Sequence, residues 1–478
     1  MRFEDGQHVH FVGIGGYGIS AIARILLERG FSVSGSDRNS NLLTDALKRD
    51  GATVYQGHAA DYVSGADLLV ISSAVPSDHV EVRAAVEQDI PVYKRRDVLV
   101  PLMRDQQVVA IAGTHGKTTT TSMIVHILRE SGHDPSYIVG GVMPSTGTNA
   151  GVGSDDIFVI EADEYDLMFH GLEPTIAVIT SIEYDHPDFF KNWADLQSAF
   201  RQFVELLPND GVLIGCGDDA ATEQLLKKQN EVVAKATADG KIVRKIISYG
   251  VDFLDFVDVL GWHQHVDAEG YTVFDVDIEG KLFGRLGTVR LPLPGKHNIQ
   301  NALAAIIAVN QLRVSVDEAA RALATFQSTG RRFETLGRVD GITVINDYAH
   351  HPTAIKATLE ATRARYPGED VWAIWQPHMF SRTQRLLADY ATAFVMADRV
   401  LITDVFAARE DPIPGVDGGA IAAAIDHPDV RHLDTFDAIV SILTQEVARP
   451  AVIIIMSAGD APQIGETYLQ RMRHHHAD

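Results

Sequence analysis

Cysteine is nearly missing from this sequence: Cys216 is the only one in 478 residues. No intramolecular disulfide can form and no cysteine cage can hold a metal, which suits a reducing, cytoplasmic setting. Positive charge is scarce as well, with 41 Lys and Arg against 64 Asp and Glu and a formal net charge of −23. Such a surface repels nucleic acid and anionic membranes, so neither is expected as a partner. An anionic substrate must then be held locally, by helix N-termini, oriented amides, a few basic side chains or a bound metal. Long apolar runs are also wanting. The best candidate, residues 9–27, is broken by Gly13, Gly15, Gly16 and Gly18, interrupted by Arg24, and followed by no cleavage signal. A bilayer span needs about 20 mostly apolar residues, so this segment reads as strand, turn and helix. There is no internal repeat, and the histidine-bearing tail at 473–478 reads as a frayed end.

What is present is alternation. Hydrophobic residues make up 46%, a globular value, and the length implies three domains. Strands are expected at 8–13, 32–36 and 67–72 with a helix at 19–30, and Pro91 and Pro101 punctuate the end of this unit. A second unit opens with a strand at 108–112 and a helix at 118–131, followed by strands at 157–161 and 176–180 and a helix near 193–207. Period-two alternation over about 241–293, with a turn at Glu279-Gly-Lys, suggests an antiparallel β insertion. The Ala-rich stretch 298–311 reads as a helix. After Gly330 the alternation restarts, with strands at 342–346, 371–375, 400–404 and 452–456 and helices at 352–365 and 383–396. The expected fold is α/β in three domains: 1–104, Rossmann-like; 105–329, a P-loop-type ATPase domain with the β insertion; and 330–478, Rossmann-like. Mostly parallel sheets put ligand sites at the carboxyl ends of strands.

Two glycine loops carry chemistry. Gly13-Ile-Gly15-Gly16-Tyr-Gly18 matches G-x-G-x-x-G between strand and helix, and Asp37 lies nineteen residues past Gly18, where a dinucleotide fold places its ribose-binding acid. This pattern fits an NAD-dependent oxidoreductase, any other nucleotide diphosphate held by amides and a helix dipole, or simply a tight turn. The second loop, Gly113-Thr114-His115-Gly116-Lys117-Thr118-Thr119, is shorter than G-x-x-x-x-G-K-[ST] but keeps its working parts. Amides cradle phosphate, Lys117 can reach the β- and γ-phosphates, and Thr118 offers a hydroxyl to Mg²⁺. A dehydrogenase has no need of this second loop, whereas a ligase acting on a nucleotide-sugar needs two phosphate sites.

From here the sequence resembles the Mur ligase family. GIGGYGISAIA, SGSD, GTHGKTTT, EADEYD, IEYDHPD, GKHNIQNALAA, GRRFE, NDYAHHPT, QPHMFSRT and SAGD follow in the family's order from Gly13 to Asp460. The resemblance implies an ATP- and Mg²⁺-dependent ligase that activates a carboxylate as an acyl phosphate for attack by an amino group, here joining UDP-N-acetylmuramate and L-alanine for peptidoglycan. It implies a cytoplasmic enzyme, a monomer or weak homodimer, in which Gly13, Gly15, Gly16, Gly18, Asp37, Ser72 and Ser73 hold the UDP-sugar. Gly113, Thr114, His115, Gly116, Lys117, Thr118 and Thr119 would hold ATP phosphates, Asn298 the adenine, Asp347 the ribose, and Arg332 the nucleotide on domain closure. Thr118, Glu161 and His186 would form the metal and phosphate shell, although Glu161 could instead cap a turn and His186 be a loop residue. Arg382, His378 and the pair His350–His351 align with residues near the amino-acid site, where an arginine fork suits a carboxylate.

The sequence departs from the family at Met379, where many members carry a second arginine, and at Ser181, where asparagine is common. No lysine occupies Phe200-Arg201-Gln202, where members adding later amino acids carry a carbamylated one. EADEYD continues as Leu167-Met-Phe-His-Gly-Leu rather than into the basic, phenylalanine-rich stretch of murein tripeptide ligases. That favours the alanine-adding activity over its relative, and the second phosphate loop disfavours both an oxidoreductase and a non-catalytic scaffold.

Overall fold

A computed structural model describes residues 3–238, 244–251, 257–278, 284–408 and 410–474. The first sheet has five parallel strands, β1 (His8–Val12), β2 (Ser32–Asp37), β3 (Thr53–Gln56), β4 (Leu68–Ile71) and β5 (Val92–Lys94), in the order β3-β2-β1-β4-β5. Strand β1 is buried on both faces from Val9 to Val12, with His10 accommodated by hydrogen bonds to Ser34 and Glu81. The helix Tyr17–Glu28 follows and packs Ile19, Ile22, Ile25 and Leu26 inward. Asn41 caps the next helix, Leu42–Arg49, in a capping box with Thr44.

The second sheet runs β6 (Gln107–Ala112), β7 (Ser136–Met143), β8 (Thr148–Gly151), β9 (Ile157–Glu161), β10 (Ile176–Ile179), β11 (Val212–Cys216), β12 (Lys245–Gly250), β13 (Val259–Val266), β14 (Thr272–Ile278) and β15 (Gly284–Leu291). Their spatial order is β15-β14-β13-β12-β11-β10-β6-β9-β7-β8. The alternating segment is therefore not wholly an antiparallel insertion. Its first strand, β12, pairs in parallel with β11, and β13 joins β12 in parallel; only β13, β14 and β15 pair antiparallel. Alternation reports a half-buried face and is blind to strand direction. The turn expected at 279–281 and the last four residues of the tail lie outside the described residues.

The third sheet comprises β16 (Glu334–Val339), β17 (Ile342–Asp347), β18 (Asp370–Trp375), β19 (Arg399–Ile402), β20 (Val430–His432) and β21 (Ala451–Met456) in the order β16-β17-β21-β18-β19-β20, parallel except for β16. One expected helix differs. Residues 383–396 form no single helix; a helix spans Phe380–Arg385, another Leu387–Tyr390, and turns follow. Tyr390 and Phe394 pack on Trp375 with ring centroids 4.5 and 5.3 Å away, a tertiary demand that the local apolar pattern does not reveal. No helix among the described residues is long and apolar enough to cross a membrane.

This order positions the chemistry. Neighbours β10, β6 and β9 deliver Ser181, Gly113 and Glu161 to one edge of the second sheet, while β17, β21 and β18 deliver Asp347, Ser457 and His378 to one edge of the third.

Candidate active site

The loop Gly113–Lys117 leaves β6 and opens the helix Lys117–Glu130. It is pinned by the segment after β10. Thr114 N donates to Ser181 O at 2.9 Å, His115 N to Ser181 Oγ at 3.1 Å, and Thr180 Oγ1 to the His115 carbonyl. The unusual Ser181 thus has a task, accepting a loop amide with its hydroxyl. Glycine is required at 116 twice over: φ is +81° and a Cβ would lie 2.3 Å from Asn301 Oδ1.

Lys117 turns its ammonium onto Glu164, 2.8 and 3.0 Å from the two carboxylate oxygens, with both side chains largely buried. Burial works against the Lys117 charge, but Glu164, Asp163 and Glu161 outweigh it and hold its pKa above the ordinary value. Thr118 Oγ1 donates to Glu161 Oε1 at 3.1 Å, and Gly140 N donates to Glu161 Oε2 at 2.7 Å. Burial raises the Glu161 pKa despite Lys117 and Arg332. A hydroxyl beside a carboxylate is a hard-oxygen pair that fits Mg²⁺. His186, at φ +55°, has the carboxylates of Glu164 (3.7 Å) and Asp185 (3.9 Å) within 4 Å of its ring among the described residues, and shares one cavity with Thr118 and Glu161.

The third domain closes the site. Arg332 Nη2 donates to Thr118 Oγ1 at 3.2 Å. Asp347 is buried, which raises its pKa, and its oxygens accept the amides of Phe333 and Ala349 at 2.7 and 2.8 Å. Arg382 donates through Nε to Asp185 Oδ1 at 2.8 Å and lies 3.3 Å from His378 Nδ1 through Nη1. Burial, then Arg382, pushes the His350 pKa well below its usual range, so its ring is neutral. Met379, with φ +69°, is buried at the start of the helix Phe380–Arg385 and offers no second cation.

These groups face one cavity of about 570 Å³. Of the expected residues, Thr114, His115, Gly116, Lys117, Thr118, Thr119, Glu161, His186, Asn298, Arg332, Asp347, His350, His378 and Arg382 line it. Gly113 lies behind the loop at φ +134°. His351, expected to be catalytic, does not line the cavity: it caps the helix Pro352–Arg365 and faces Glu183, 3.5 Å away. Burial lowers the His351 pKa to about 4, while the Glu183 pKa falls to about 2 because His115 and His351 outweigh its burial. Sequence reasoning missed Glu164, Asp185, Glu183 and Asn301. All sit inside quoted motifs, but motif spacing says nothing about which cation each acid faces.

The first glycine loop is a separate place, at the carboxyl ends of β1, β2 and β4. The Gly13 and Ile14 amides donate to Ser36 O, and a Cβ on Gly13 would be 3.1 Å from Ser72 Cβ. Gly18 leaves room for Arg95, whose Nη1 would be 2.0 Å from a Cβ there. Ser73 is exposed at the loop after β4. Asp37 Oδ2 accepts the Gly15 amide at 2.9 Å, which turns the residue behind the dinucleotide reading toward the loop.

A phosphate loop faced by arginine and histidines from the following domain is the arrangement of an ATP-dependent, amide-bond-forming ligase. Family models match in three consecutive blocks: the Mur ligase family catalytic domain over 8–107, the Mur ligase middle domain over 111–309, and the Mur ligase glutamate ligase domain over 331–459. The chain belongs to the Mur ligase family. It is 41% identical over 469 residues to UDP-N-acetylmuramate–L-alanine ligase of Salinibacter ruber, covering 97% of this chain and 94% of that one. It is 39% identical to the ligase of the same name from Caldanaerobacter subterraneus, over 98% of this chain and 99% of that one. Among solved structures, UDP-N-acetylmuramate-alanine ligase from Thermotoga maritima matches with a TM-score of 0.80 at 25% identity, over 98% of this chain and 99% of that one. A murein peptide ligase from Psychrobacter arcticus matches with a TM-score of 0.68 at 27% identity, over the same shares.

Proposed function

We propose that this Mur ligase joins L-alanine to the carboxylate of UDP-N-acetylmuramate, releasing ADP and phosphate, in peptidoglycan synthesis in the cytoplasm, as a monomer or weak homodimer. The observation that carries the reading is the single cavity lined both by the phosphate loop and by Arg382 and His378 of the third domain. ATP supplies the phosphoryl group that makes the carboxylate an acyl donor, and Mg²⁺, when bound, neutralises phosphate charge. The chain supplies positioning and electrostatics.

Lys117 and the amides of Gly113, Gly116, Thr118 and Thr119 orient the phosphates, with Thr114 and His115, whose amides Ser181 holds, shaping the loop around them. Thr118, Glu161 and His186, which line one cavity, would form the metal and phosphate shell. Arg332 adds a cation from across the domain boundary. Asn298 meets the adenine and Asp347 the ribose. Arg382 and His378 take the amino acid's carboxylate, and neutral His350 can stand near the ammonium without repelling it. Gly13, Gly15, Gly16, Gly18, Asp37, Ser72 and Ser73 hold the UDP of the sugar nucleotide. The domains divide at 1–104, 105–329 and 330–478. The test is phosphate release from ATP with UDP-N-acetylmuramate and amino acids supplied singly. L-alanine should support turnover best; release only with a murein tripeptide would overturn the substrate assignment.

A further inference from the structure

We propose that His115, Glu183 and His351 form a binding site for a zinc-class divalent cation that ties the phosphate loop to the third domain. His115 Nε2 lies 2.8 Å from Glu183 Oε2, and His351 Nδ1 lies 3.5 Å from the same oxygen. The three ligand atoms all fall within 4.8 Å of one another. Metal–ligand bonds of about 2.0–2.2 Å in a tetrahedral site put ligand atoms about 3.3–3.5 Å apart, a spacing that the 2.8 and 3.5 Å separations bracket, so adjustment of the two rings within the 4.8 Å limit would complete the geometry.

The donor set is two imidazoles and one carboxylate, which favours Zn²⁺ and its neighbours over Mg²⁺. That separates the site chemically from the Thr118–Glu161 pair. His115 and Glu183 side chains remain 27% and 38% exposed, so water can reach a fourth position. Thr353 Oγ1 donates to the other Glu183 oxygen at 2.6 Å and fixes the carboxylate. The His351 Nε2 atom is buried without a partner among the described residues, and Nδ1 accepts only a long 3.4 Å bond from the Thr353 amide, which a bound cation would displace.

Other histidine–carboxylate groups are poorer. At Glu81, beside His58 and His79, Oε2 is already shared by His10 and Ser36, neither of which belongs to that trio. Asp404 and Asp434, beside His432, are 63% and 86% exposed. The ligands of the proposed site come from three separate segments, the loop after β6, the segment after β10 and the helix start at Pro352. An occupied site therefore holds the third domain against the second.

The test titrates the full chain, in excess Mg²⁺, with Zn²⁺ alone against a chromophoric chelator, and separately with Co²⁺ to read the visible band of a tetrahedral site. One equivalent is expected. His351→Asn keeps a helix cap and Glu183→Gln keeps an oxygen for Thr353; each should weaken Zn²⁺ binding at least tenfold and dim the Co²⁺ band. Replacing His474, His475 and His476 by alanine should change neither. Loss of the equivalent with the tail histidines, or unaltered binding in both site variants, overturns the proposal. Neither result bears on the ligase reading, which phosphate release tests separately.

Discussion

Arg382 and Asp185 join across the boundary between the second and third domains, Nε to Oδ1 at 2.8 Å, with side-chain exposures of only 3% and 7%. The arginine expected to hold the amino-acid carboxylate is thus also a tie between domains, and its Nη2 has no partner among the described residues. One fork can serve both purposes because its donors point in different directions.

Arg382→Lys keeps the charge and loses the fork. Charge-assisted hydrogen bonds contribute about 1.5–3 kcal/mol each, so the apparent KM for L-alanine should rise about tenfold or more. The KM values for ATP and the sugar nucleotide should move less. Steady-state kinetics with each substrate varied in turn checks this; an equal rise in all three would make Arg382 a domain tie alone.

Asp185→Asn leaves Arg382 buried without its counter-charge, and breaking such a pair costs about 3–5 kcal/mol, read as a lower Tm. Burial opposes the Asp185 charge, but His186, Arg382 and neighbouring histidines hold its pKa well below the ordinary carboxylate range. A depressed carboxylate contributes stability above its unfolded value, about 3.9, and loses it as pH falls through the folded value. The stability gap between wild type and variant should stay level through neutral pH and shrink only in strong acid. A gap that closes by pH of about 6 would show that the pair is not responsible.

Lys117→Ala should abolish turnover while leaving sugar-nucleotide binding intact, because the two glycine loops lie in different domains. It should also destabilise the chain, since Glu164 is left buried without its ammonium partner. Adding Glu164→Gln should restore much of the Tm and none of the activity. Recovery of turnover in the double variant would mean that Lys117 serves Glu164 and not phosphate.

Glu161→Gln preserves shape and the acceptor for Gly140 while removing charge from the proposed metal shell. The Mg²⁺ concentration for half-maximal rate should rise severalfold. In the wild type, the raised Glu161 pKa means that metal affinity falls on acidification earlier than an ordinary carboxylate would allow. A variant with unchanged Mg²⁺ dependence would assign Glu161 a purely structural part.

Ser181→Ala leaves the His115 amide without its hydroxyl acceptor. A net hydrogen bond is worth about 0.5–1.5 kcal/mol, so the KM for ATP should rise roughly two- to tenfold, and Ser181→Asn should recover part of it. No change on alanine substitution would show that Ser181 O alone positions the loop.

The sequence by itself determined many of the local elements, because strand, turn and helix are set largely by short-range pattern. It marked β1, β6, β9 and β17, both glycine loops, and the motif order that implies the family. Lys117, Glu161 and Arg332 were legible because loop chemistry and motif position name them. Only the tertiary structure decided direction and partnership. It made β12 a parallel core strand, split the helix near Leu386 to seat Tyr390 and Phe394 on Trp375, and turned His351 away from the cavity to cap a helix. It also chose which acid answers which base, Glu164 for Lys117 and Asp185 for Arg382, 47 and 197 residues apart in the chain. Those pairings follow from which strand ends lie side by side in the sheets, and side-chain periodicity along a single chain carries no record of that order.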